Sequence, residues 1–192
     1  MRELTLIVQT SLDGFVAGPN GEFDNFIGGE ETLEFVCSIT DDADAALFGR
    51  VSYQLLDSGW PTAANKQGAT KNEIKYSNWY NAVSKLVLSK TLTVKTSENT
   101  RVISKNIDAE INYIKKQPGK NILMFGSPTA AQALFELNLV NSFWIIVHPV
   151  IFGNGIPFFR GRASIIKLVL VASKQLSNGT LCNKYSVNSY VK

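Results

Sequence analysis

The chain has 192 residues, 45% hydrophobic and 18% charged, enough for one sizeable core and too apolar for a disordered or fibrous polymer. Its formal net charge of +3 comes from scattered Lys and Arg. This excludes the dense basic run of a nucleic-acid binder while suiting a small anionic ligand. No stretch approaches a membrane span, and the N-terminus runs directly into a strand pattern, so a soluble, cytoplasmic protein is expected. Cys37 and Cys182 match no metal or redox spacing and are expected as reduced thiols. With no repeat, linker or low-complexity segment, residues 1–192 are expected to form one domain.

Glu3 to Thr10 is a β-rich run, predicted as an inner first strand. Ser11 to Gly21 then gathers turn formers, including Asp13-Gly14 and Asn20-Gly21, in a loop too long for a simple hairpin connection. It suits either a ligand site or a surface hairpin. Gly29 to Ile39 carries Leu33, Val36 and Cys37 at helical spacing, with Glu30, Glu31 and Glu34 near its start. Ala43 to Phe48 is a short apolar strand, and Gly49, Arg50, Val51 and Ser52 turn from it into a second helix. Ser58 to Ser77 has little periodicity and is expected to be a mobile excursion ending in a short helix around Glu73 to Tyr80. Lys85 to Ser89 is another strand, and Ser89-Lys90 places a hydroxyl and an ammonium at its end, a pair suited to the extra ribose phosphate that separates NADPH from NADH. Arg101 to Ile103 predicts a strand, and Ile107, Ile111 and Ile114 mark a helix that stops at Pro118-Gly119.

The stretch from Asn121 to Leu134 organises the chain. Ile122 to Phe125 is too continuously apolar for a strand with one wet face, which predicts a central strand covered on both sides. Gly126 permits a sharp turn, Ser127 reads as an N-cap, and Pro128 fits the first helical position. The amides of Thr129 and Ala130 would then form a phosphate seat, or simply the start of an ordinary capped helix. With the Gly49-Arg50 turn, two strand-to-helix junctions would face one diphosphate. Asn141 to Phe152 is predicted as one long strand, followed by Gly153, Gly155 and Ile156 in a glycine-punctuated loop. Lys167 to Lys174 and Leu181 to Val191 form a hairpin about Asn178-Gly179. The expected fold class is α/β, a mixed and mostly parallel sheet with a C-terminal antiparallel hairpin and flanking helices.

Together, Ser11 to Ala17, Asp44 to Tyr53, Leu123 to Ser127 and Pro149 to Phe159 resemble the dihydrofolate-reductase-like superfamily, in the branch of the reductase domain of the bifunctional riboflavin-biosynthesis deaminase-reductase. The resemblance implies a three-layer fold, NADPH as hydride donor and a homodimer. It also implies residue roles. Gly49, Arg50, Val51 and Ser52 would lie by the cofactor phosphates, Ser89 and Lys90 by the 2′-phosphate, and Gly126, Ser127, Pro128, Thr129 and Ala130 by the diphosphate. Asp13, Gly14, Val16 and Ala17 would border the nicotinamide and substrate, and Gly153 to Ile156 would close over the cofactor. The family usually has a second glycine where this chain has Ser127, whose side chain would crowd a diphosphate or donate to it.

Hydride transfer needs no protein nucleophile. The lone His148 sits in an apolar strand before Pro149 and lacks the partners of a triad or metal cluster, so a core or edge role is expected. A proton donor or substrate anchor would be Asp13, Glu30, Glu31 or Glu34. Equally, Asp13 suits capping its own Asp-Gly turn, and the glutamates suit the helix dipole. Trp60, Trp79 and Tyr80 would wall a flat heterocycle or pack in the core. The expected activity is reduction of a small nitrogen heterocycle, a ribosylated aminopyrimidine. The alternatives are a pterin reductase and a nucleotide-binding protein that kept the fold alone.

Overall fold

A computed structural model describes residues 1–93, 99–159 and 165–187. The chain runs β1 (Leu4–Thr10), β2 (Phe15–Ala17), α1 (Glu30–Thr40), β3 (Ala43–Gly49), α2 (Arg50–Asp57), α3 (Trp60–Ala63), α4 (Lys71–Ala82) and β4 (Ser84–Leu88). It continues through β5 (Thr100–Ile103), α5 (Ile107–Lys116), β6 (Asn121–Phe125), α6 (Pro128–Glu136), β7 (Ser142–Val147), β8 (Ile156–Pro157), β9 (Val169–Gln175) and β10 (Leu181–Ser186). Eight strands form one sheet in the order β5-β4-β3-β6-β1-β7-β10-β9. The first six are parallel, β10 runs antiparallel to β7, and β9 antiparallel to β10.

Strand β6 fills the slot between β3 and β1, as its unbroken apolar run requires. Its residues divide between the two faces. Ile122 and Met124 join Leu4, Leu6, Val8 and Leu47 under α5 and α6, while Leu123 and Phe125 join Ile7, Phe48 and the side chains of α1 and α4. Burying each such side chain is worth roughly 1.5–3 kcal/mol, so both faces of β6 must be covered for the sheet to hold. The result is three layers, helices on either side of a mostly parallel sheet.

Several expectations need correction. The strand after α6 ends at Val147 rather than Phe152, because Pro149 has no N–H for a ladder. The chain leaves the sheet there, and the Leu12 amide donates to the Val150 carbonyl, tying this segment to the loop after β1. The excursion from Ser58 to Ser77 is ordered by two helices. Trp60 packs on Tyr76 with ring centroids 4.4 Å apart, and Thr70 and Glu73 form a capping box that starts α4. The second strand of the hairpin closes at Ser186; residues 188–191 of the expected strand lie outside the described residues.

Candidate active site at the sheet's C-terminal ends

Strands β3 and β6 pair with Leu47 opposite Met124, so Gly49 and Gly126, each two residues further on, leave the sheet side by side. Helices α2 and α6 start immediately afterwards. Their first-turn amides include those of Val51 and Ser52 in α2 and Thr129 and Ala130 in α6, while the first intrahelical bond of α6 runs from the Ala131 amide to the Ser127 carbonyl. Two positive dipole ends thus meet at one edge of the parallel sheet, an arrangement that suits a phosphate anion.

Ser127 departs from its expected role. Its hydroxyl makes no cap bond to α6; the residue adopts the left-handed conformation with φ 58°. Its Oγ instead accepts the Gly49 amide at 2.9 Å and lies 2.6 Å from Ser52 Oγ, joining the two junctions. A Cβ on Gly49 would sit 3.0 Å from Ser127 Oγ and 3.1 Å from Ser127 Cβ, so this close approach favours glycine at position 49.

Around the junctions lie the other predicted cofactor residues. Arg50 is exposed at the first position of α2, with its guanidinium donating to Gln54 Oε1 at 3.0 Å. Gly49 pairs with Leu88, which brings Ser89 and the exposed Lys90 to the same end of the sheet. Ser89 Oγ accepts the amides of Thr91 and Leu92, so this hydroxyl shapes the turn after β4.

A second group of residues assembles beyond β1. Strand β2 pairs with β8, a small sheet that periodicity did not reveal, and brings Val16 and Ala17 beside Gly155 and Ile156. A Cβ on Gly155 would lie 2.3 Å from the Ala17 carbonyl oxygen, which only glycine avoids. Asp13 bonds within its own turn, to the Ser11 hydroxyl and its own amide, and also reaches beyond it. Its carboxylate crosses to accept the amides of Phe152 at 3.1 Å and Gly153 at 2.8 Å. A hydrogen bond from Ser11 and these amides hold it below the ordinary carboxylate range against a smaller cost of desolvation. It is therefore ionised at neutral pH and built as a clasp. Glu30 accepts from the Asn72 amide at 2.7 Å, Glu31 accepts from both the amide and the hydroxyl of Ser177, and Glu34 is exposed on α1.

His148 is fully buried where β7 leaves the sheet. Its ring nitrogens lie 3.0 Å from the Ile27 carbonyl and 2.9 Å from Gln9 Oε1, and Phe26 packs 4.8 Å from the ring. It serves the core, as expected. Trp79 and Tyr80 pack inside as well: Trp79 Nε1 donates to the Ala43 carbonyl and Tyr80 hydroxyl to Asp57. Cys37 is buried, with burial pushing its thiol upward, and no metal-binding group of three or more His, Cys, Asp or Glu occurs among the described residues.

Residues 2–182 match the family model of the RibD C-terminal domain. The chain belongs to this family. Among its relatives, the uncharacterized protein YyaP of Bacillus subtilis is 31% identical over 188 residues, covering 97% of this chain and 96% of its own length. YwjB of the same organism is 24% identical and covers 91% and 92%. The fold is shared with a putative riboflavin biosynthesis protein from Shewanella sp. PV-4, at TM-score 0.72 and 18% identity over 97% of this chain and 99% of that one. The bifunctional deaminase and 5-amino-6-(5-phosphoribosylamino)uracil reductase of Thermotoga maritima aligns at TM-score 0.68 and 13% identity, covering 97% of this chain and 57% of its own. Membership of the RibD C-terminal domain family and the shared fold support a riboflavin-pathway, pyrimidine-reductase-like function.

Sequence reasoning missed Ser52 as Ser127's partner and Phe152 and Gly153 as Asp13's. Both pairings join residues 75 or more positions apart, beyond any local spacing signal. The glycine at 49 was the one available pointer, since an obligatory glycine implies a close neighbour.

Proposed function

We propose that this chain is an NADPH-dependent reductase of a small nitrogen heterocycle, acting in the cytoplasm as a homodimer on a ribosylated aminopyrimidine such as 5-amino-6-(5-phosphoribosylamino)uracil. The observation that carries the reading is the pair of helix N-termini at the ends of adjoining strands β3 and β6. The residues present fit the cofactor. Gly49 and Gly126 leave the strand ends clear of side chains, first-turn amides of α2 and α6 supply donors, and Arg50 and Lys90 are exposed cations at the same edge. Bound there, the nicotinamide supplies a hydride.

The chain's own groups do the rest. Ser52, Thr129 and Ala130 hold phosphate, Arg50 neutralises it, and Ser89 with Lys90 takes the 2′-phosphate. The Asp13 clasp fixes the loops of Val16, Ala17 and Gly153 around the ring. Asp13 stays ionised, so it orients these loops and donates no proton at neutral pH. Glu30 and Glu34, on the first turns of α1, are the remaining carboxylates for a substrate anchor. The exposed apolar row Val169, Leu170 and Val171 on the last strand of the sheet supports the dimer.

Titration with NADPH and NADH, followed by nicotinamide fluorescence, tests the reading. Tight binding of NADPH alone is expected, and changing Arg50→Ala weakens it about tenfold, the loss of one charge-assisted phosphate contact. Unchanged affinity removes Arg50 from the site. Binding of neither nucleotide overturns the reductase, and turnover of dihydrofolate in preference to the aminopyrimidine moves the substrate to a pterin.

A further inference from the structure

Ser127 occupies a left-handed conformation that strains an L-residue and that glycine adopts freely. It follows Gly126, itself at φ 53°, so the backbone turn already has one glycine and gains nothing locally from a serine. Nor does the hydroxyl cap its own helix. What it does is cross to the other junction. The Gly49 amide can only donate, so Ser127 Oγ accepts it, and the serine's own hydrogen has two acceptors within reach: Ser52 Oγ at 2.6 Å and the Phe125 carbonyl at 3.3 Å. The shorter contact is the stronger bond.

This ordering has a direction. Ser52 Oγ, receiving a hydrogen from Ser127, turns its own hydrogen elsewhere. Ser52 stands on the first turn of α2, half-buried, with its Oγ 3.5 Å from where a Cβ on Gly126 would be. Its hydroxyl therefore lies in the crevice between the two helix starts. A chain running from the Gly49 amide through Ser127 to Ser52 polarises each bond in turn. The Gly49 amide is consumed by the protein, and the Ser52 hydroxyl joins the first-turn amides as a donor at the crevice.

We propose that Ser127 is a positioning residue that locks the starts of α2 and α6 together and aims the Ser52 hydroxyl at the cofactor diphosphate. The inference rests on the NADPH reading above and adds to it the reason this chain carries a serine. It also resolves which way the substitution acts: the side chain is turned to the neighbouring junction, and the hydroxyl serves the anion through Ser52.

A double-mutant cycle tests it, reading the NADPH dissociation constant and the melting temperature without ligand for the wild type, Ser127→Gly, Ser52→Ala and the double variant. Ser127→Gly relieves the backbone, so its melting temperature should equal or exceed that of the wild type. Its NADPH affinity should fall about fivefold, close to one hydrogen bond. Ser52→Ala should lose a similar factor, and the double variant no more than the larger single loss, since Ser127 acts only through the Ser52 hydroxyl. Losses that multiply, or a Ser127→Gly protein that binds as tightly as the wild type, overturn the proposal while leaving the reductase reading intact. A wild type that binds no NADPH overturns both. Should Ser127→Gly fold poorly, Ser127→Ala removes the hydroxyl alone and gives the same two comparisons.

Discussion

Strand β6 contributes Ile122, Leu123, Met124 and Phe125, none more than 8% exposed, whereas Val169, Leu170 and Val171 of β9 are 40%, 54% and 57% exposed. The two runs are alike in residue type. Their difference comes from position, since β6 has a strand on each side and helices on both faces, and β9 ends the sheet. Apolar composition thus reports what a strand can bury, and the sheet order decides whether it does. The candidate site follows the same division, because the proposed cofactor crevice lies where two buried central strands, β3 and β6, end.

The contrast is broken most sharply by truncation at β6. Met124→Ala should destabilise the protein by about 2–5 kcal/mol in chemical denaturation, the cost of a core cavity. A loss below about 1 kcal/mol would place β6 with β9 and dissolve the comparison.

Strand β7 stands between the extremes, buried at one end and released at His148. Burial pushes the His148 imidazole below its ordinary range, against a smaller opposing effect of the Ile27 carbonyl. The folded protein therefore binds this proton less readily than the unfolded chain. Its contribution to stability is complete above the unfolded value near pH 6.5 and is lost as pH falls toward the depressed folded value. Denaturation midpoints should drop between pH 7.5 and 5.5, and His148→Gln should flatten that part of the profile. An equal slope in the variant would assign the acid sensitivity to other groups.

The smallest effect is expected on β9. Leu170→Lys should change the stability of the monomer by less than about 0.5 kcal/mol, as exposed substitutions do, while shifting the species seen in size-exclusion chromatography from the proposed dimer to monomer. Loss of folding would show that β9 carries core energy after all, and an unchanged elution volume would remove this edge from the dimer.

Much of this architecture was readable before any coordinates. The burial of β6, the helix starts at Arg50 and Pro128 and the hairpin about Asn178-Gly179 each follow from a short window of sequence, because helical and strand periods, glycine turns and proline positions act over a few residues. The end of β7 was misjudged although Pro149 was in plain view. Apolar residues on both sides of Pro149 looked like one run, and the missing N–H outweighed them. The helix expected around Glu73 to Tyr80 is α4, but the order of the segment before it, with α3, was not legible: it depends on Trp60 stacking against Tyr76, not on any strong helical period.

At the candidate site the same line separates local from distant. Gly49, Arg50 and the segment from Gly126 to Ala130 were placed together by their two similar strand-to-helix turns, and the register of β3 with β6 bears that out. Individual side-chain roles were not readable. Ser127 could equally have capped its helix, and Asp13 could have bonded within its turn alone, since each hydroxyl or carboxylate has acceptable partners nearby. By itself the sequence determined the strands, the helices and the residues at their ends, for those depend on local propensity and periodicity. Only the tertiary structure decided that Ser127 bonds to Gly49 and Ser52, and Asp13 to Phe152 and Gly153. Such bonds exist only after folding has brought distant parts of the chain within hydrogen-bonding distance.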